Sequence, residues 1–134
     1  MGNGKLARRP LSPHLSIYRP MLTMMMSIAH RITGVANATG FFLLAWWLVA
    51  VSAGPKQYSY VAAFFGSLPG QVLLFLYSWA LIHHMLGGIR HLIWDTGAGL
   101  DKVSIEVFAW ATLIGSITLT VLIWIGGSFL AGGF

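Results

Sequence analysis

The amino-acid sequence predicts an all-α integral membrane protein with three transmembrane helices. Composition points there first: 57% of the 134 residues are hydrophobic and only 8% are charged, whereas soluble domains carry roughly 25% charged residues. Three apolar runs, Ile32 to Ala53, Pro69 to Ile93 and Val107 to Leu130, each exceed the roughly 20 residues that cross a hydrocarbon core. Runs such as "GFFLLAWWLVAV" and "VLLFLYSWALI" lack the alternating polarity of barrel strands. Charge placement is the third observation. Lys5, Arg8, Arg9, Arg19 and Arg31 precede the first run, Arg90 and Lys102 flank the second turn-around, and Lys56 alone lies in the first loop. By the positive-inside pattern, the N terminus and the loop between the second and third spans face the cytoplasm or an equivalent compartment. The C terminus then faces the periplasmic side.

The chain reads as a single membrane-anchor domain over residues 1–134. A cytoplasmic arm covers 1–26, and helices run over about 27–53, 69–94 and 106–130. Pro10, Pro13 and Pro20 in "RRPLSPHLSIYRP" exclude a continuous helix from the arm; its Leu, Ile and Tyr favour a strip ordered by a soluble partner over a disordered tail. The first helix begins near Thr23 or Ser27 and enters lipid after Arg31, whose stem snorkels to the headgroups. "SAGP" at 52–55 ends it. "QYSYVAAFFGSL" is too polar at its start to insert and is expected in the outer interface, after which Pro69 opens the second helix. The third helix, with Ser and Thr but nothing ionisable in lipid, is expected to complete the bundle by packing, and Met24, Met25 and Met26 to be apolar filler. Trp46, Trp47 and Trp124 fit an outer aromatic belt, and Trp94 and Trp110 an inner one.

Several classes are excluded. The net charge of +5 sits at membrane flanks, not in a basic stripe interleaved with aromatics, so no nucleic acid is expected. Without cysteine, disulfides and thiolate metal sites are absent. "AVSAG" at 50–54 follows an apolar run too long and too distal for a cleaved leader.

The second helix ends in "LIHHMLGGIRHLIWD", residues 81–95, an expensive concentration of polar chemistry for lipid. His84, Gly87, Gly88 and His91 recur at i, i+3, i+4 and i+7, so they share one helix face. Two imidazoles there flank a notch without side chains, a place for something flat. Counting about 1.5 Å per residue from Trp94 places His84 roughly 15 Å deep and His91 near the rim. His84 is the candidate axial ligand of a haem iron; His83 points about 100° away and is expected to meet a neighbouring helix or a lipid-side polar group. Two axial nitrogens lie about 4 Å apart across the iron, but His84 and His91 are about 10 Å apart along one helix. With His30 expected at the rim and His14 before the membrane, a second histidine ligand must come from another chain. Ser27, His30 and Arg31 form another polar cluster at the entrance of the first helix, suited to haem propionates or to a quinone carbonyl.

These residues resemble the cytochrome b556 subunits of succinate dehydrogenase, the larger of the two membrane anchors of respiratory complex II. The resemblance rests on "RPLSPHLSIY" at 9–18, "SIAHRITG" at 27–34 and "HHMLGGIRHLIWD" at 83–95, in the wording of the alphaproteobacterial and mitochondrial branch, and the three-helix plan fits over nearly the whole chain. It implies a heterodimeric haem-binding helix bundle in which His84 ligates haem b and a small anchor subunit supplies the opposite ligand. Ser27 and Arg31 would line a ubiquinone site, with His30, Arg31 and His91 near the propionates and Gly87 and Gly88 forming the haem notch. Implied partners are that small anchor, an iron–sulfur subunit, a flavoprotein subunit and the bilayer of a bacterial or mitochondrial inner membrane. The chain would contribute to quinone reduction and make no bond in succinate. Position 83, often aromatic in the family, is His83 here. The alternatives are an anchor of a fumarate reductase and a haem-free, transporter-like helix bundle.

Overall fold

The computed structural model describes Pro13 and residues 17–132. Most of the N-terminal arm, including His14, lies outside the described residues. Four helices follow in order: α1 (Leu22–Ala53), α2 (Pro55–Gly66), α3 (Leu68–Asp95) and α4 (Lys102–Leu130). Three of them, α1, α3 and α4, are long and apolar enough to cross a membrane, and no strand occurs among the described residues.

Helix α1 starts at Leu22, beside Thr23, the earlier of the two expected starts. Pro20 and the extended Met21 (φ −92°, ψ 148°) set its first turn, and the methionine run has good helix propensity with no breaker. Met26 is buried, in keeping with an apolar filler. At about 1.5 Å per residue the 32-residue helix is about 48 Å long, well beyond a hydrocarbon core of about 30 Å.

The segment expected to rest in an interface is a helix of its own. Gly54, at φ 105°, makes the break after α1 in a conformation other residues avoid. Pro55 then occupies the first turn of α2, where its missing N–H costs nothing. Twelve residues reach only about 18 Å, so α2 is too short to span, and buried Val61 holds it to the bundle. The Ser67 hydroxyl oxygen accepts from the Gly70 amide at 3.3 Å and starts α3. Thr96 donates to the Ile93 carbonyl at 2.6 Å, and the Trp94 indole to the Gly99 carbonyl at 3.1 Å, so the turn after α3 is pinned from both ends.

Asp101 caps α4, accepting from the amides of Val103 (3.1 Å) and Ser104 (3.0 Å). Hydrogen bonds from the Ser104 side chain and backbone hold its carboxyl below the usual range. A carboxyl depressed by folding adds stability above its unfolded value of about 3.9 and loses it as pH falls through the lower, folded value. At neutral pH, Asp101→Ala is therefore expected to speed amide hydrogen exchange at Val103 and Ser104. The two proteins converge once acid protonates Asp101, and hydrogen exchange read by mass spectrometry at matched pH checks both.

Helix α3 is central, packing on α1 and on α4. The α3–α4 seam is polar: Thr112, Ser116 and Thr120, one turn apart, are all buried. Each hydroxyl bonds a carbonyl of its own helix, Thr112 to Phe108 at 2.8 Å, Ser116 to Leu113 at 2.9 Å and Thr120 to Ser116 at 2.7 Å. The small side chains bring the helices close without leaving polar groups exposed to lipid. Outward, large apolar side chains are bare, including Phe42 and Leu119 in mid-helix and Leu130 at an end. In water that surface would aggregate; in hydrocarbon it is the solvated face.

Candidate functional site: a histidine ladder between α1 and α3

Helices α1 and α3 run antiparallel and meet through glycines. A side chain at Gly40 would collide with the Tyr77 ring, one at Gly34 would come within 2.9 Å of His84 Cε1, and one at Gly87 would strike the His30 ring. Absence of these side chains lets the two imidazoles pass between the helices. His84 and His30 stack with ring centroids 4.0 Å apart and planes 9° from parallel. His91 meets His30 edge-on at 5.2 Å, and Trp94 meets His91 edge-on at 5.2 Å. The result is a ladder of rings from mid-α3 to the end of the bundle that carries the α3–α4 loop.

His30 stacks beside His84 because Gly87 leaves room for its ring. It still does not complete an iron pair with His84. Axial ligands aim their nitrogens at one another across the metal, whereas near-parallel stacked rings set theirs side by side. Among the described residues, no group of three or more His, Asp or Glu is placed to hold a metal ion.

The donor set at His84 fits that role. Nδ1 of His84 lies 3.0 Å from the His30 carbonyl oxygen; a carbonyl only accepts, so Nδ1 carries the proton and donates. Nε2 keeps its lone pair, the tautomer that second-shell carbonyls impose on metal-binding histidines. The ring is half-buried. Gly88, on the His84 and His91 side of α3, has no atom within 4 Å of the place a side chain would take. Of the two glycines of the expected notch, Gly87 is filled by His30 and Gly88 is open.

These glycines separate packing from ligand access. Gly87→Ala is expected to lower the thermal stability of the assembled complex by about 1 to 3 kcal/mol, the usual range for overpacking, as His30 is pushed off His84. Gly88→Leu is expected to leave that stability nearly unchanged and to lower bound haem, read as the b-type absorbance per complex.

His83 faces the other way. It is 1% exposed, and its Nδ1 lies 3.2 Å from Ser116 Oγ. Ser116 spends its one hydrogen on the Leu113 carbonyl, so its oxygen accepts from Nδ1–H of His83. Interhelical bonds of this kind contribute about 0.6 kcal/mol on average in membranes. His83 belongs to the α3–α4 seam, not to the ladder.

The cluster at the start of α1 divides. His30 turns inward, whereas Ser27 and Arg31, four residues apart on one face, are exposed and make no side-chain hydrogen bond among the described residues. Two polar groups were overlooked in the sequence: Asn37 Oδ1 and Trp79 Nε1 are buried without a partner. The signal for Asn37 was its type alone, an amide inside an apolar run where polar groups are costly.

Comparison with known proteins agrees with this architecture. Residues 5–123 match the family model described as succinate dehydrogenase/fumarate reductase transmembrane subunit. The chain is similar to the succinate dehydrogenase cytochrome b556 subunit of Paracoccus denitrificans, with 39% identity over 91% of this chain and 94% of that one. Against the cytochrome b556 subunit of Rickettsia conorii the identity is 37% over 88% of this chain and 92% of that one. The mitochondrial succinate dehydrogenase cytochrome b560 subunit of Mus musculus is 35% identical over 87% of this chain and 68% of that one. Three membrane-length helices, the ring ladder between two of them, and a match from residue 5 into α4 lead to one assignment: the chain belongs to the succinate dehydrogenase/fumarate reductase transmembrane subunit family.

Proposed function

We propose that this chain is the larger membrane anchor of a succinate:ubiquinone oxidoreductase, holding haem b jointly with a second, smaller anchor and forming part of the ubiquinone-reduction site. Its names-in-kind relatives are succinate dehydrogenase cytochrome b subunits, which supports the assembly with a flavoprotein and an iron–sulfur subunit. The observation that carries the haem assignment is the hydrogen bond from His84 Nδ1 to the His30 carbonyl. It fixes the ring, sets Nε2 as the free donor and raises the basicity of that nitrogen.

When bound, haem supplies a one-electron store in the membrane. The protein's own part is to orient. His84 offers Nε2 to the iron; His91 and Arg31 stand towards the loop end, where propionate carboxylates meet cations instead of lipid. Ser27 and Arg31, on the exposed face of α1, offer a hydroxyl and a guanidinium to a quinone carbonyl, and positive charge there favours the negative charge that develops on the oxygen during reduction. Electrons arrive from succinate through the flavoprotein and iron–sulfur subunits, which dock on the cytoplasmic end with the N-terminal arm. Two electrons and two protons, taken from the same side, convert quinone to quinol. The chain itself makes no bond in succinate.

Purification of the complex through a tag on this chain tests the proposal. The expected result is co-purification of the two soluble subunits and a small anchor, together with a b-type reduced-minus-oxidised spectrum. A complex without haem, or this chain alone, overturns it.

A further inference from the structure

Arg90 is the unexplained charge of the bundle. It is 5% exposed, its Nε is buried without a partner, and it forms no hydrogen bond or ion pair among the described residues. Among the described residues its guanidinium carbon lies over the Trp94 ring, 5.0 Å from the centroid. A desolvated charge with no counter-charge is costly. The carboxylates nearest in sequence, Asp95, Asp101 and Glu106, are all exposed and none pairs with it.

The haem side does not account for Arg90. Seven residues after His83, it lies within about 20° of that residue around α3 and more than about 90° from His84 and His91. It therefore faces α4. There it lines a cleft of about 150 Å³ between α3 and α4, together with Ile89, Ile93, Phe108, Ala111 and Thr112. Five residues short of Asp95, Arg90 sits about 7 to 8 Å inside the end of α3, at the boundary between headgroups and hydrocarbon.

We infer that this cleft binds an anionic phospholipid of the leaflet at the α3–α4 loop end. The phosphate pairs with the Arg90 guanidinium and an acyl chain lies against Ile89, Ile93 and Phe108. Charge and walls together select the class: the cation needs an anion, and an apolar cleft opening to hydrocarbon admits the anion that carries its own acyl chains. Arginine suits phosphate through its planar fork of donors. The cleft adjoins the last ring of the ladder through the Arg90–Trp94 contact, but its lining includes none of His30, Arg31, His84 or His91.

The test measures lipid retained by the detergent-purified complex after an extended wash, by mass spectrometry of the extract. Wild type and Lys102→Gln, which removes an exposed charge near the same end, are expected to keep one anionic phospholipid per chain. Arg90→Gln is expected to keep at least ten-fold less, with an unaltered haem spectrum. Adding dioleoylphosphatidylglycerol back to the washed wild-type complex is expected to raise its melting temperature, and dioleoylphosphatidylcholine or inorganic phosphate to leave it unchanged. If Arg90→Gln fails to assemble, Ala111→Phe, which fills the cleft and keeps the charge, is expected to lose the lipid equally. Equal retention in wild type and the cleft variant overturns the inference, as does a carboxylate of a partner subunit found on Arg90. Haem content is read separately, so loss of this inference leaves the haem assignment standing.

Discussion

Replacing His84 with leucine is expected to remove haem b from a complex that still assembles. The b-type absorbance per complex should fall at least ten-fold, which is about 1.4 kcal/mol or more of binding free energy. The variant deletes Nε2, the atom left bare when Nδ1 donates to His30, and the stack on His30 goes with it. His83→Leu is the control beside it in sequence. That residue faces Ser116 on α4, so its loss should cost a seam contact and leave the absorbance in place. An unchanged spectrum in the His84 variant would show the ligand to be elsewhere.

Arg31→Leu is expected to lower succinate:quinone turnover by about 10- to 100-fold, the size of a lost hydrogen bond to a charged donor at about 1.5 to 3 kcal/mol. Ser27→Ala, a neutral donor, should cost about 10-fold or less. In both variants, electron transfer from succinate to a soluble dye that accepts from the flavoprotein should be preserved. Arg31→Lys should recover part of the rate. Equal losses with quinone and dye would assign Arg31 to assembly of the complex instead of to quinone. Both side chains are exposed on α1 and make no side-chain hydrogen bond among the described residues.

The spans were legible in the sequence because each is a sum over about 20 residues, and no single substitution erases such a sum. The family was legible for a different reason: three short motifs with fixed chemistry sit at fixed spacing. The start of α1 was legible only to within a turn, at Thr23 or Ser27, because no side chain caps Met21 where the helix begins. The polarity of Gln57, Tyr58 and Ser59 points to the interface but says nothing of secondary structure; Gly54 and Pro55 are what mark the beginning of α2. Within the site, the face shared by His84, Gly88 and His91 follows from spacing along one helix. The approach of His30 does not, because it depends on how α1 is rotated against α3, and only Gly34 and Gly87 on facing helices decide that. The burial of Arg90 was hidden for the same reason. Spacing gives a residue its side of a helix, but not the neighbour that covers it.

Helix α1 passes unbroken from Leu22 to Ala53, so its two ends are rotationally geared. Inserting one residue between Ser27 and His30 would swing everything ahead of it by about 100°, whereas inserting four would return it to within about 40° of its original phase. The hydroxyl at Ser27 is thereby indexed to the imidazole at His30 as teeth on one shaft. Natural length variation in this stretch should come in whole turns.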